Sequence, residues 1–230
     1  MPTVTVVAPG HLGAPQLFAV SVAGRRLYVG TLSGLAIHDG AHWETVASAR
    51  ALYAVHAAPN GRVLAGGPDV LVELGWRADG QRDLLSLLDQ LPEADREIGD
   101  VRSIHSFGDV FFAVTDRALV RVASSEVTVV ERWRSDARRR GFASHDALYV
   151  VSQGAVRAFT PSAAPVTDVL TAHDPADGLV TFVVAHPEAG HIVGLDSRGV
   201  FAVRDGRWTP VGSGAGALLA RGITDARLLA

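Results

Sequence analysis

The sequence predicts an all-β chain built from repeating four-stranded antiparallel units, and three observations predict it. The stretch LYVGTLSGLAIHDGAHWETV at 27–46 returns, with its pieces in the same order, as IVGLDSRGVFAVRDGRWTPV at 192–211. Apolar segments that end alike recur about every 41 residues, the period of a four-stranded repeat. Short apolar or alternating runs, punctuated by Gly, Asn and Asp, fill most of the chain, and helix-period patterns are scarce.

Each unit can be justified from its parts. The end of the second strand serves as an anchor: Thr31 in RRLYVGT, Gly67 in GRVLAGG, Thr115 in DVFFAVT, Ser152 in ALYVVS and Asp196 in IVGLD. Upstream lies a first strand, as in QLFAVSVA, ALYAVHAA, VRSIHSF and LVTFVVAH, followed by a short turn. Downstream comes a third strand, as in GLAIHDG, VLVELGW, ALVRVAS, AVRAFTP and GVFAVRDG, and then a weaker fourth, as in WETVAS and EVTVVERW. A lone four-stranded sheet cannot bury both faces, so such sheets stack radially as the blades of a β-propeller. Runs such as VFFAV and LYVV suit strands covered on both sides. The pairs Asp39-Gly40 and Asp205-Gly206 are expected in a tight turn between third and fourth strands. This gives one propeller region over 1–230, with blade cores at about 15–49, 50–99, 100–141, 142–177 and 178–222, and the start of a further blade at 223–230. The segment LLSLLDQLPEADREIG at 84–99 is expected as a loop of the second blade, with one or two helical turns or an extended insertion, and Pro92 stops any longer helix.

Composition narrows the function. With 230 residues and 48% hydrophobic content a sizeable core is within reach. The net charge of −3 gives no reason to expect nucleic acid or an anionic membrane surface. All 21 basic residues are Arg, which reflects overall composition rather than a site. The absence of Cys removes disulfides, thiolate catalysis and Cys-ligated zinc. MPTVTVVAPGHLG has neither the basic head nor the apolar core of a secretory signal, so a chain that truly starts there is expected in the cytoplasm.

The motif LYVGTLSGLAIHDGAHW resembles the two-component regulator propeller repeat, whose blades read approximately "lWvGT-nGL-xxx-dG-xW/F". The pair AGGPDVLVELGWRADGQRDLLSLLDQLP and VRSIHSFGDVFFAVTDRALVRV resembles the second and third blades of members that carry a triple-tyrosine module after the propeller. The similarity covers roughly 15–122 and, by the repeat criterion, 178–211; the stretch 123–177 is degenerate. The resemblance implies a sensory input region placed before a histidine kinase, diguanylate cyclase or DNA-binding regulator, commonly seven-bladed and periplasmic. On that footing the chain reads as the N-terminal part of a longer propeller. Its end blades then require a partner, a homodimer among the options.

No catalytic, cofactor-binding or metal-binding residue is assigned from the sequence. His38, Asp39 and His42 have a plausible metal spacing, but Arg204 stands where His38 does in the last repeat, and a turn explains both. His173, Asp174 and Asp177 sit in a Pro/Gly-marked interblade turn. Arg132, Arg134, Arg138, Arg139 and Arg140 surround Trp133, interrupted by Glu131 and Asp136; a solvated loop is the expectation, an anionic partner the alternative. Gly212, Gly214 and Gly216 lack the spacing of a dinucleotide loop, and without Lys no phosphate-binding loop is possible. His56, His105 and His186 fall near the ends of first strands, where a structural role in the turn competes with a place at a channel mouth. The leading expectation is a non-enzymatic sensory propeller with a small-molecule ligand or protein partner and no nucleic-acid or membrane contact. A lyase- or lactonase-type propeller enzyme and an interaction scaffold are the alternatives; the Gly-His and Trp-Asp pairs of tryptophan-aspartate repeats are absent from the blade ends.

Overall fold

A computed structural model describes residues 16–211, except 125, 134–138, 146, 153–154, 163–164, 171–177 and 197. The chain divides into two compact units, residues 1–136 and 137–230. The described residues of the first unit form three antiparallel sheets. They comprise β1 to β4 (Leu17–Ala23, Arg26–Thr31, Gly34–His38, Trp43–Ala47), β5 to β8 (Ala54–Ala57, Val63–Gly67, Val70–Trp76, Arg82–Ser86) and β9 to β12 (Val101–Phe107, Val110–Thr115, Ala118–Val122, Val127–Arg132). The second unit holds two, β13 to β16 (Arg140–Ser144, Ala147–Ser152, Ala155–Phe159, Pro165–Leu170) and β17 to β20 (Val180–His186, Gly190–Leu195, Gly199–Arg204, Arg207–Pro210). In every sheet the strands lie in chain order, each paired with its sequence neighbour.

The four Thr, Gly and Ser anchors end β2, β6, β10 and β14, and Asp196 follows the last residue of β18. The Thr anchors show why the motif is written as it is. The buried Thr31 hydroxyl donates to the Gly34 carbonyl at 2.9 Å and accepts from the Ser33 N–H, closing the turn into β3. Thr115 repeats this: it accepts from the Ala118 N–H at 2.8 Å, and its one O–H proton is shared between the carbonyls of Ala118 and Ile98. A buried turn polar group without such a partner would be costly. The Gly before Thr31 is required by close approach, because a Cβ on Gly30 would run into the Leu52 carbonyl of the linker that leads into the next sheet.

Within the first unit the sheets stack face to face. Leu35, Ile37 and Tyr28 meet Val55, Ala57 and Val72 between the first and second sheets. Leu64 and Leu71 meet Ile98, Ile104, Phe111 and Val120 between the second and third. In the second unit Tyr149, Val151 and Val156 pack on Val183, Val193 and Leu195. The apolar runs are covered on both faces: adjacent Phe111 and Phe112 are both fully buried, as is Leu148 beside Tyr149 at 5% exposure. The first strands pack side by side, β1 against β5 and β5 against β9. At β1–β5, and again at β13–β17 in the second unit, a Ser hydroxyl of one first strand accepts a main-chain N–H of the next. Ser21 serves Ala57 at 2.9 Å, and Ser144 serves Ala185 at 3.0 Å.

Three local expectations change. Leu84 and Leu85 belong to strand β8, not to a helix or insertion, because Leu84 packs into the core shared with the first sheet. The rest of that segment makes two 3-10 turns, Leu88–Gln90 and Glu93–Asp95, on either side of Pro92. Asp205-Gly206 forms a true two-residue turn, both residues at positive φ (50° and 74°), whereas Asp39-Gly40 opens a wider loop that returns to β4 at Trp43. Strand β13 begins at Arg140, so residues 140–141 pair with β14.

Candidate functional site

One cavity of the first unit is an open groove of about 770 Å³ at the end of the sheets where second strands turn into third strands. Its floor is apolar, with Val70, Val72 and Leu84 among its members, and its rim carries Arg50, Arg96 and Arg117 against Asp69, Asp89 and Glu97. The linkers that join one sheet to the next build this rim. The Pro68-Asp69 turn is gripped from both sides. Arg50, in the linker before β5, donates from Nη1 to the Pro68 carbonyl at 2.8 Å. Gly99, in the linker before β9, donates its N–H to the Asp69 carboxylate at 2.7 Å and accepts from the Asp69 N–H. Asp69 holds a positive φ of 47°, which these bonds enforce.

Arg96 is fixed by main chain alone. Its Nε donates to the Leu91 carbonyl at 3.0 Å and its Nη2 to the Asp89 carbonyl at 3.1 Å, which draws the 3-10 turns around the guanidinium. Arg117 pairs with Glu97 at 3.1 Å. Among the described residues, Arg50 and Arg96 make no ion pair within 4.0 Å. Two permanent positive charges are thus held by neutral carbonyls over an apolar floor, with further N–H donors to offer.

A second polar cluster lies along the first strands. The half-buried His56 ring bonds through Nε2 to the Ser106 hydroxyl at 2.8 Å and meets Phe111 edge-on. His105 reaches Ser103 at 3.0 Å. Beside them Arg62 forks onto Glu73 at 2.7 and 2.9 Å, donates to the Asp109 carbonyl and lies 5.0 Å from the Phe111 ring centroid. The Glu73 carboxylate raises the Arg62 pKa further above its usual value. Asn60 donates to the Asp109 carboxylate, so the turns of the second and third sheets are tied together.

His38 accepts the Gly40 N–H and stacks on Trp43 at 4.7 Å. The Asp39 carboxylate accepts the N–H groups of His42 and Ala41, which lowers its pKa, so its oxygens are spent on the loop. Arg132 pairs with Asp95 at 2.8 Å and Trp133 donates its indole N–H to the Thr115 carbonyl, while Arg139 is buried at 6% exposure. Arg134, Asp136 and Arg138, the triplet His173, Asp174 and Asp177, and the glycines at 212, 214 and 216 lie outside the described residues, as does 223–230. His56 and His186, matched by sequence, part company: His186 accepts the N–H groups of Glu188 and Ala189 and caps its own turn. Among the described residues no group of three His, Cys, Asp or Glu side chains could hold a metal ion, and no helix is long and apolar enough to cross a membrane. Arg50 and Arg96 were not singled out by sequence; each is one Arg among many, and only the fold brings them to one groove.

No protein-family model and no curated protein matches the sequence. Solved structures do match in fold. Virginiamycin B lyase from Staphylococcus aureus aligns with a TM-score of 0.60 at 10% identity, over 84% of this chain and 68% of the lyase. The extracellular domain of the hybrid two-component system BT4673 from B. thetaiotaomicron aligns with a TM-score of 0.58 at 12% identity, over 78% of this chain. The chain spans about a quarter of that domain, 26% of its length. The WD40 β-propeller domain of Doa1 aligns with a TM-score of 0.59 at 11% identity, over 84% of this chain and 67% of that domain. The extracellular neighbours lend no support to the cytoplasmic expectation. At these identities the likeness carries fold alone, and the fold is a β-propeller of four-stranded antiparallel blades.

Proposed function

We propose that this chain is a non-enzymatic, ligand-binding propeller that serves as the input region of a bacterial signal-transduction protein. The observation that carries this reading is the open groove of about 770 Å³, where fixed guanidinium groups stand over an apolar floor. Binding sites of this kind combine an apolar lining with a few placed polar groups. The repeat motif around Thr31 and the extracellular two-component neighbours agree with it. An extracytoplasmic setting follows from the same reading, as does membership of a larger, seven-bladed propeller. A signal requires that the ligand bind one association state of the output region more tightly than the other. A thermal-shift screen of the 230-residue chain against small metabolites tests it. One chemical class should raise Tm in a concentration-dependent way and emerge unchanged; conversion of that class into product would make the chain an enzyme instead.

A further inference from the structure

We infer that the groove takes a small monocarboxylate with an apolar body, its carboxylate held by Arg50 and Arg96; this rests on the ligand-binding reading above. Guanidinium groups stay charged at any working pH and present forked N–H donors that match a carboxylate. Here both are oriented before a guest arrives. Arg50 is braced on the Pro68 carbonyl and Arg96 on those of Leu91 and Asp89, so part of the side-chain freedom is already spent before binding. Neither charge is neutralised by an ion pair with a described residue.

The rest of the rim limits how much negative charge the guest can carry. Glu97 occupies Arg117, and the Asp69 carboxylate is engaged by the Gly99 N–H. Asp89, exposed on the rim, repels an anion near it. With Arg117 paired to Glu97, Arg50 and Arg96 are the groove cations left to meet an anion, and Asp69 and Asp89 on the same rim disfavour polyphosphates and sulfated chains. The floor of Val70, Val72 and Leu84 supplies the apolar contact that a bare inorganic anion would not use.

The test is a titration of the whole chain with benzoate, followed by nuclear magnetic resonance of the Arg Nε–H and groove methyl signals. Benzyl alcohol, inorganic phosphate and inositol hexakisphosphate serve as contrasts. Benzoate should saturate and shift the Arg50 and Arg96 signals together with Val and Leu methyls, and added salt should weaken it. Arg50→Met, at an exposed position, should weaken benzoate about tenfold, the loss of one charge-assisted hydrogen bond. Arg25→Met, in the β1–β2 turn and outside the groove, should leave it unchanged. Because Arg96 also braces its loop, Arg96→Lys is read only alongside an unchanged Tm. Equal binding of benzyl alcohol, an unaltered affinity in Arg50→Met, or preference for phosphate or inositol hexakisphosphate overturns the monocarboxylate assignment while leaving a ligand-binding groove. If neither these probes nor the metabolite screen moves any groove signal, both readings fall.

Discussion

The hydroxyl of Thr115 does more than its size suggests. It sits fully buried, accepts the Ala118 N–H and donates to the carbonyls that close the β10–β11 turn and receive the linker from the second sheet. Thr115→Val keeps the volume and removes every one of those bonds. The expected cost is about 1–3 kcal/mol, read as a lower urea midpoint with an unchanged slope. His191 makes a different prediction. Its ring lies edge-on to Tyr149 at 5.3 Å, and burial lowers its pKa below 6.5. The folded chain therefore resists protonation that the unfolded chain accepts. Stability from this group is complete above the unfolded value and is lost as pH falls below it. Urea midpoints at about pH 7.5 and 5.5 should drop further for the native chain than for His191→Gln, and equal drops would remove His191 from the pH response.

Strands depend on what passes behind them. A Cβ on Gly67 would coincide with the Ala51 carbonyl, and one on Gly66 would meet Val101 at 2.7 Å, so the end of β6 must be bare where linker and neighbouring strand cross it. Gly67→Ala should cost about 3 kcal/mol in urea unfolding. Gly24→Ala, in an open turn at φ 58°, should cost only about 1 kcal/mol; a reversed order would show that backbone conformation, rather than close approach, decides. Most strands were legible because a turn residue follows each apolar run, and the Thr anchors mark β2 and β10. β13 and β16 were harder: RGFAS is short, with Arg, Gly and Ser as three of its five residues, and PVTDVL opens on Pro and carries Asp168 inside the strand. The Leu run at 84–91 misled because strand β8 passes directly into 3-10 turns, and one Leu-rich segment serves two backbone conformations.

At the scale of the molecule, each unit is a series of sheets that touch in sequence order, so stability within a unit is shared between neighbours. Ile98 is fully buried in the cluster that joins the second and third sheets. Ile98→Ala should cost about 2–5 kcal/mol, and hydrogen exchange should show protection falling in β5–β8 and β9–β12 together. Loss confined to one sheet would mean that the sheets open independently. The propeller class was readable from the repeat alone, whereas the groove was not, since Arg50, Asp69 and Arg96 come from three separate connections and no spacing in the chain announces their convergence. One small contact reaches further than its strength. Ser21 to Ala57 and Ser144 to Ala185 are the same plug and socket, a hydroxyl on one first strand and a main-chain N–H on the next. The socket needs no particular side chain, so this bond survives any exchange of side chains on the next first strand, while the apolar faces still decide which sheets fit. Lengthening such a stack by duplication would carry this bond over unchanged and leave only the apolar faces to be refitted.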